Sequence, residues 1–330
     1  MSLGNDIGKF MWNIGEQKEG FKFGEPWRHS DKALGLVIPI LRTKEINRQY
    51  KIIEETKNIE IKDTGNIDSA LVDSKEDVNV FIRGGVILAG DTQERATQYG
   101  VIIEPTSKQE VAVRCVHASK GIRSGAKLRT SEYVPTSVQK NLYAGDQGDT
   151  WGGVRSYFAT CSMKTSNMRL HNDTVGIIEM QNLASDSDDL LGVIEEVDRS
   201  SKDIEKAIQD IPVAKNQVGA IIFDIDSIVG FEVFDSKESW KALHKKVIKK
   251  YGESLLREQQ DMLFELKPEV IPKKINDFIE QILEADEKQV HTTNVSNTKI
   301  IDGKKIIGEY TQLEKDIIHL IAFNRNSVSK

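Results

Sequence analysis

The densest group of side chains able to hold a ligand is Asp91-Thr92-Gln93-Glu94-Arg95, set between two apolar stretches. Gln93 can donate and accept at once, and Arg95 carries a rigid fork of donors matched to a carboxylate or phosphate. At a strand end the two could orient an anionic or nucleotide-like ligand. The plainer alternative is a charged hairpin turn; a third is an architectural Arg95 paired with a buried acid, costly to break. Residues 108–140 then hold seven basic side chains, Lys108, Arg114, Lys120, Arg123, Lys127, Arg129 and Lys140, against Glu110 and Glu132. In a chain of net charge −6 they would give either a local positive potential that attracts phosphate or an ordinary solvated face. Gly121-Ile122-Arg123-Ser124-Gly125 could turn its N–H groups toward an anion, although it lacks the Lys-Ser/Thr ending of a phosphate-binding P-loop.

Cys115 and His117 stand two apart on a predicted strand. They could make a thiolate–imidazole pair if the backbone bends, or be a buried thiol beside an edge histidine. The six histidines show no HxH or HExxH spacing, and His244 and His319 fall in apolar periodic segments that suit hydrogen-bonded core histidines. No metal site and no cofactor is expected from these spacings. Asp186-Ser187-Asp188-Asp189 lacks the glycine and terminal glutamate of a calcium loop and reads as acids at a helix start.

The elements that must position these residues follow from periodicity. Residues 50–118 follow a period close to two: Val78, Val80 and Ile82 alternate with Asn79, Phe81 and Arg83, and Val111, Val113 and Cys115 share one face. Turn signals at Gly90-Asp91 and Glu104-Pro105 space them as an antiparallel sandwich or barrel. Strand–helix–strand alternation is absent there, which argues against a doubly wound nucleotide fold. Beyond about residue 135 helices appear. Trp151–Met163 would bury Trp151, Val154, Phe158 and Cys161, and 188–211 carries Leu190, Ile194, Val197, Ile204 and Ile208 at helical spacing. Val218–Asp224 and Ile228–Phe234 read as paired strands, and Asp235 with Glu238 as the capping box of a helix striped by Trp240, Leu243 and Val247. A helix from Pro272 follows, then a hairpin whose Asp302-Gly303 would supply positive φ, and a last strand at Ile317–Phe323.

The expected fold is α+β: an antiparallel sandwich or barrel-like N-terminal half and a mixed helix and antiparallel-sheet C-terminal half. An aromatic arm at 1–32, a β-rich region at 33–135 and an α+β region at 136–330 would pack as one compact unit. The 330 residues, 38% hydrophobic and 29% charged, suit a soluble globular chain. Two cysteines make no disulfide framework and suit reduced, cytoplasmic thiols. The N-terminus lacks a signal-peptide pattern, and the longest apolar run, nine residues from Ala33 to Leu41, is too short to span a membrane. The acidic balance argues against nucleic acid.

Leu88, Gly90, Gln93 and Arg95 form the pattern L-x-G-x-x-Q-x-R, and Val113, Cys115 and Val116 form V-x-C-V. With Trp151, Asn216-Gln217-Val218-Gly219 and His319-Leu320-Ile321-Ala322-Phe323, the chain resembles, over most of 33–325, the ADP-ribosylglycohydrolase and rhodanese-phosphatase associated protein domain family. It departs after the cysteine strand: many members continue with an acid and an Arg-Trp pair, whereas this chain has His117 and Gly121-Ile122-Arg123. The resemblance implies a place in NAD or ADP-ribose metabolism. The expectation is a module binding ADP-ribose, NAD or an ADP-ribosylated target through Gln93, Arg95, Arg123 and Trp151, with Cys115, His117 and His319 behind them. Two alternatives stay open. One is a hydrolase or transferase of the same metabolism using Arg95, His117 or Cys115; the other is a scaffold, or a homo-oligomer, that engages partners through the aromatic arm and the acidic 186–210 helix.

Overall fold

The computed structural model describes residues 6–28, 33, 35–117, 120–168, 189–200, 211–256 and 266–326. The strands are β1 (Phe21–Phe23), β2 (Leu36–Arg42), β3 (Tyr50–Ile52), β4 (Ile59–Asp63), β5 (Ser69–Ser74), β6 (Asn79–Ile82), β7 (Val86–Gly90), β8 (Arg95–Thr97), β9 (Val101–Ile103), β10 (Lys108–Cys115), β11 (Lys127–Tyr133), β12 (Gln217–Asp224), β13 (Ser227–Phe234), β14 (Asp286–Thr292), β15 (Ser296–Asp302), β16 (Ile306–Leu313) and β17 (Asp316–Asn324). The helices are α1 (Asp6–Gly15), α2 (Thr136–Ala144), α3 (Gln147–Met168), α4 (Leu190–Ser200), α5 (Lys237–Lys249), α6 (Gly252–Leu256) and α7 (Ile271–Leu283). The architecture is α+β with antiparallel sheets. Contacts divide it into two units: Met1–Glu55 with Gly100–Ile102 and Ala207–Lys330, and Thr56–Tyr99 with Ile103–Lys206. The expected regions 33–135 and 136–330 thus each contribute to both units. No described helix is long and apolar enough to cross a membrane.

The first unit is built on an eight-stranded sheet in the order β1-β2-β12-β13-β17-β16-β15-β14. Phe231 stacks on Phe278 of α7, while Phe234, three residues on, meets Trp240 of α5. Successive strand side chains alternate faces, so helices cover both sides of β13, which explains why the central strands are apolar almost without interruption. Helix α7 buries Ile275, Phe278, Ile279 and Ile282 as a stripe, with Pro272 in its first turn. Residues of the aromatic arm enter the same core: Ile7, Met11, Ile14 and Phe21 are buried there, and Phe10 packs edge-on against Phe21.

Two local expectations are corrected. The cap of α5 is Ser236, whose hydroxyl accepts the Ser239 N–H, because the Asp235 carboxylate is drawn instead to the buried Tyr50 hydroxyl at 2.6 Å. The β15–β16 hairpin forms, but neither Asp302 nor Gly303 has positive φ. Three residues, Gly303 to Lys305, connect the strands. Glycine is required at 303 by crowding, since a Cβ there would lie 2.9 Å from that of Ala285.

The second unit contains a closed antiparallel barrel in the order β10-β5-β4-β11-β7-β8, with β8 returning to β10 through the Cys115–Arg95 register. Ile61, Val72, Val111 and Val113 are buried by alternation. Helices α2, α3 and α4 pack a second apolar cluster that includes Ile87, Ala96, Val116, Val138, Val154, Phe158 and Leu190. Helix α3 runs further than the expected 151–163, and Trp151 is only half-buried against this cluster. The Cys161 side chain, His171, Asp186 to Asp188, and Ile204 and Ile208 of the expected 188–211 pattern lie outside what is described.

Candidate functional site

Ala96 packs among the helices, so its strand neighbours Arg95 and Thr97 face the other way, into the barrel. Arg95 is fully buried. Its Nη1 donates to the Asn66 and Ser69 carbonyls, both at 2.6 Å, and its Nη2 to Asp63 Oδ1 at 2.8 Å. Asp63 Oδ1 also accepts the Gly65 N–H at 2.7 Å; Oδ2 accepts the Thr92 hydroxyl at 2.7 Å and the Arg123 N–H at 3.2 Å. Burial raises the Asp63 pKa, but hydrogen bonds from Thr92, Gly65 and Arg123 and the Arg95 charge outweigh it, leaving the carboxyl below its ordinary value. The 121–125 loop is therefore an anion cradle whose anion is internal: Asp63 takes the Arg123 N–H through its carboxylate and the Gly125 N–H through its carbonyl. The Arg123 side chain is exposed.

Around this ion pair lies a second polar group. The Gln93 N–H and the Thr92 hydroxyl both donate to the Gly121 carbonyl at 3.1 Å. The buried Gln93 Oε1 has no hydrogen-bond partner among the described residues. Glu94, only 4% exposed, accepts Lys120 Nζ on Oε1 at 2.7 Å. Its Oε2 lies 3.3 Å from His117 Nδ1, and that nitrogen lies 3.4 Å from Asp189 Oδ1. Asp189 immediately precedes α4, where its Oδ1 accepts the Gly192 N–H at 2.9 Å, and it is bridged to His117 through the backbone. The Lys120 ammonium is held above its usual pKa by the Glu94 hydrogen bond.

Cys115 is buried and free. Its thiol donates to the His117 carbonyl at 3.3 Å, and burial pushes its pKa up, the reverse of what an activated thiolate needs. Gln147, at the start of α3, clamps Cys115 by accepting its N–H at 2.9 Å and donating to its carbonyl at 2.8 Å. His319 belongs to the other unit, where its Nε2 lies 3.0 Å from the buried Glu232, itself paired to Lys250 at 2.7 Å.

Of the residues expected to bind, Gln93, Arg95 and Arg123 gather around Asp63, Thr92 and Gly121, with Arg123 joining through its backbone. Trp151 packs on the helix cluster. Asp63 and Gln147 were not singled out from sequence; Glu94 appeared there only as a member of the 91–95 cluster and Asp189 only as an acid at a helix start. The strongest available signal was Asp63, a buried-strand position occupied by an acid.

A family model described as ARPP-1, the ARG and Rhodanese-Phosphatase-superfamily-associated Protein domain, matches residues 20–323. The chain belongs to this family. The match takes in the eight-stranded sheet and the barrel alike, so the Asp63 and Glu94 groups both lie within the ARPP-1 domain. No curated protein and no solved structure matches the chain.

Proposed function

We propose that the chain binds a ligand of the ADP-ribose or NAD class, free or carried on an ADP-ribosylated target, beside the barrel strand that begins at Arg95. The observation that carries this reading is Gln93 Oε1, a buried acceptor with no hydrogen-bond partner among the described residues. Leaving such an atom unmatched costs about 1–3 kcal/mol, and a ribose hydroxyl or an adenine amino group would supply the missing donor. The exposed Arg123 and half-exposed Lys120 supply charge suited to a diphosphate. Reading ARG in the family description as ADP-ribosylglycohydrolase points to the same metabolites, by association alone. Arg95 has a supporting part: its fork is engaged by Asp63, Asn66 and Ser69, so it shapes the loop that presents Arg123.

Differential scanning fluorimetry with ADP-ribose, NAD and NADP, in the presence of a chelator, tests this reading. A ligand at one hundred times its Kd adds about 2.7 kcal/mol, a rise of roughly 5–10 °C for a unit of this size. Gln93→Leu should cancel the rise. No rise with any of the three ligands overturns the proposal.

A second reading, hydrolysis or transfer on the same ligands, is favoured by the Glu94–His117 approach of 3.3 Å, a carboxylate–imidazole arrangement suited to general-base work. Turnover of NAD or an ADP-ribosyl conjugate, lost in a folded His117→Gln variant, would establish it; no turnover would reject it.

A further inference from the structure

We infer that Glu94, His117 and Asp189 form a binding site for a divalent cation of the zinc class. The three residues come from three places: the segment before β8, just past the end of β10, and the residue that precedes α4. Each offers one donor, and the donors all lie within 4.8 Å of one another. His117 Nδ1 is 3.3 Å from Glu94 Oε2 and 3.4 Å from Asp189 Oδ1. Nitrogen and oxygen ligands bound tetrahedrally at about 2.0–2.1 Å stand about 3.3–3.4 Å apart. The spacing is thus that of two edges of a zinc tetrahedron; the third, between the Glu94 and Asp189 oxygens, lies within 4.8 Å and has to close toward the tetrahedral edge for the cation to be held by all three.

An independent observation points the same way. Glu94 is buried, and its Oε2, the oxygen that faces His117, accepts no hydrogen bond from any described residue. A buried carboxylate oxygen without a donor is costly, and a cation is the partner that a carboxylate–imidazole–carboxylate set is chemically built to hold. Two contacts orient the set from outside: Lys120 Nζ holds the other Glu94 oxygen at 2.7 Å, and the Gly192 N–H holds Asp189, as outer partners of metal ligands do. One imidazole and two carboxylates favour zinc over magnesium or calcium, which demand six or more oxygens. Three protein ligands leave a fourth position open, and Asp189, 38% exposed, lies on the solvent side. The site could therefore carry a cation-bound water.

The inference stands apart from the ADP-ribose reading, so its test contains no nucleotide. Chelator-treated protein is titrated calorimetrically with Zn²⁺, and separately with Mg²⁺ and Ca²⁺. One Zn²⁺ per chain, with no comparable Mg²⁺ or Ca²⁺ binding, is expected, and Glu94→Gln and Asp189→Asn should each weaken it at least about 10-fold. Asp189 is partly exposed, so its variant should stay folded even if a change at buried Glu94 does not. Co²⁺-loaded wild-type protein gives a readout that needs no variant: tetrahedral sites absorb strongly in the visible, octahedral ones weakly. Absence of stoichiometric Zn²⁺ binding, undiminished affinity in Asp189→Asn, or an octahedral Co²⁺ spectrum would each overturn the assignment.

Discussion

Inside the barrel, the Asp63 carboxylate accepts four hydrogen bonds, from Arg95, Gly65, Thr92 and Arg123, and the Arg95 fork donates three, leaving only its Nε without a partner among the described residues. One residue earlier in sequence, Glu94 has one oxygen bound to Lys120 and the other facing an imidazole with no hydrogen bond from any described residue. Asp63 and Glu94 are both buried carboxylates, yet they differ in saturation. A carboxylate whose oxygens are all taken holds loops in place and has no capacity left for a ligand. An unsaturated one keeps binding capacity at a cost in stability, which is where chemistry can be placed.

Removing a partner from the saturated pair should have the largest effect. Arg95→Ala leaves Asp63 buried without its counter-charge, at a cost of about 3–5 kcal/mol, read as a lower urea midpoint of the barrel unit. A loss under about 1 kcal/mol would mean that Arg95 is not architectural and would return it to the ligand site.

A third buried carboxylate sharpens the contrast through pH. Asp235 accepts the Tyr50 hydroxyl at 2.6 Å but has no arginine fork, and burial raises its pKa to about 6 despite that bond and the charges of Arg42 and Arg48. Its folded pKa exceeds the unfolded one, so its contribution is full below about pH 4 and is lost as pH rises through 6. The shift corresponds to about 3 kcal/mol. Asp63 is depressed, so its contribution is present above the unfolded pKa and lost as pH falls through the folded one. Asp235→Asn should flatten stability between pH 4 and 6, whereas Asp63→Asn should flatten the acid limb. Urea midpoints measured across pH would expose equal slopes, if the two carboxylates were alike after all.

Glu94→Gln should change stability by less than about 1 kcal/mol, because the lysine bound to it, Lys120, is 41% exposed and screened by solvent, and the other Glu94 oxygen accepts no hydrogen bond from any described residue. A loss as large as that of Arg95→Ala would make the Glu94 group a structural pair too. The comparison would then collapse.

Much of the architecture was legible because alternation is a direct imprint of burial: Val111, Val113 and Cys115 mark one barrel face, and Ile275, Phe278, Ile279 and Ile282 one helix face. Gln93 and Arg95 stood out as polar residues between apolar strands. Their roles were not legible, since the acid that claims Arg95 ends Ile59-Glu60-Ile61-Lys62-Asp63, in phase with the two isoleucines, where it signals a buried charge but not which distant residue pairs with it. The cation-type cluster was missed for a related reason. Its members share no spacing pattern, because the barrel closure and the α4 cap bring them together only in three dimensions. Asp235 shows the same limit: its distance from Glu238 suggested a capping box, but a tyrosine hydroxyl distant in sequence competes for the carboxylate.

Cys115 gives the smallest effect and the finest discrimination, because it lies between the two groups. Its side chain is 2% exposed and its thiol, held to the His117 carbonyl at 3.3 Å, is pushed up in pKa by burial. Reactivity requires thiolate and access, and both are withheld on the barrel side. In a Cys161→Ser background, a thiol reagent at pH 8 should therefore label no cysteine in the native protein and one after unfolding, with native labelling slowed at least about 100-fold to the rate of opening. Rapid native labelling would place the thiol in reach of solvent and of the His117 imidazole. The boundary between the saturated interior and the reactive cluster would then have to move inward past Cys115, restoring the cysteine and histidine as a catalytic pair.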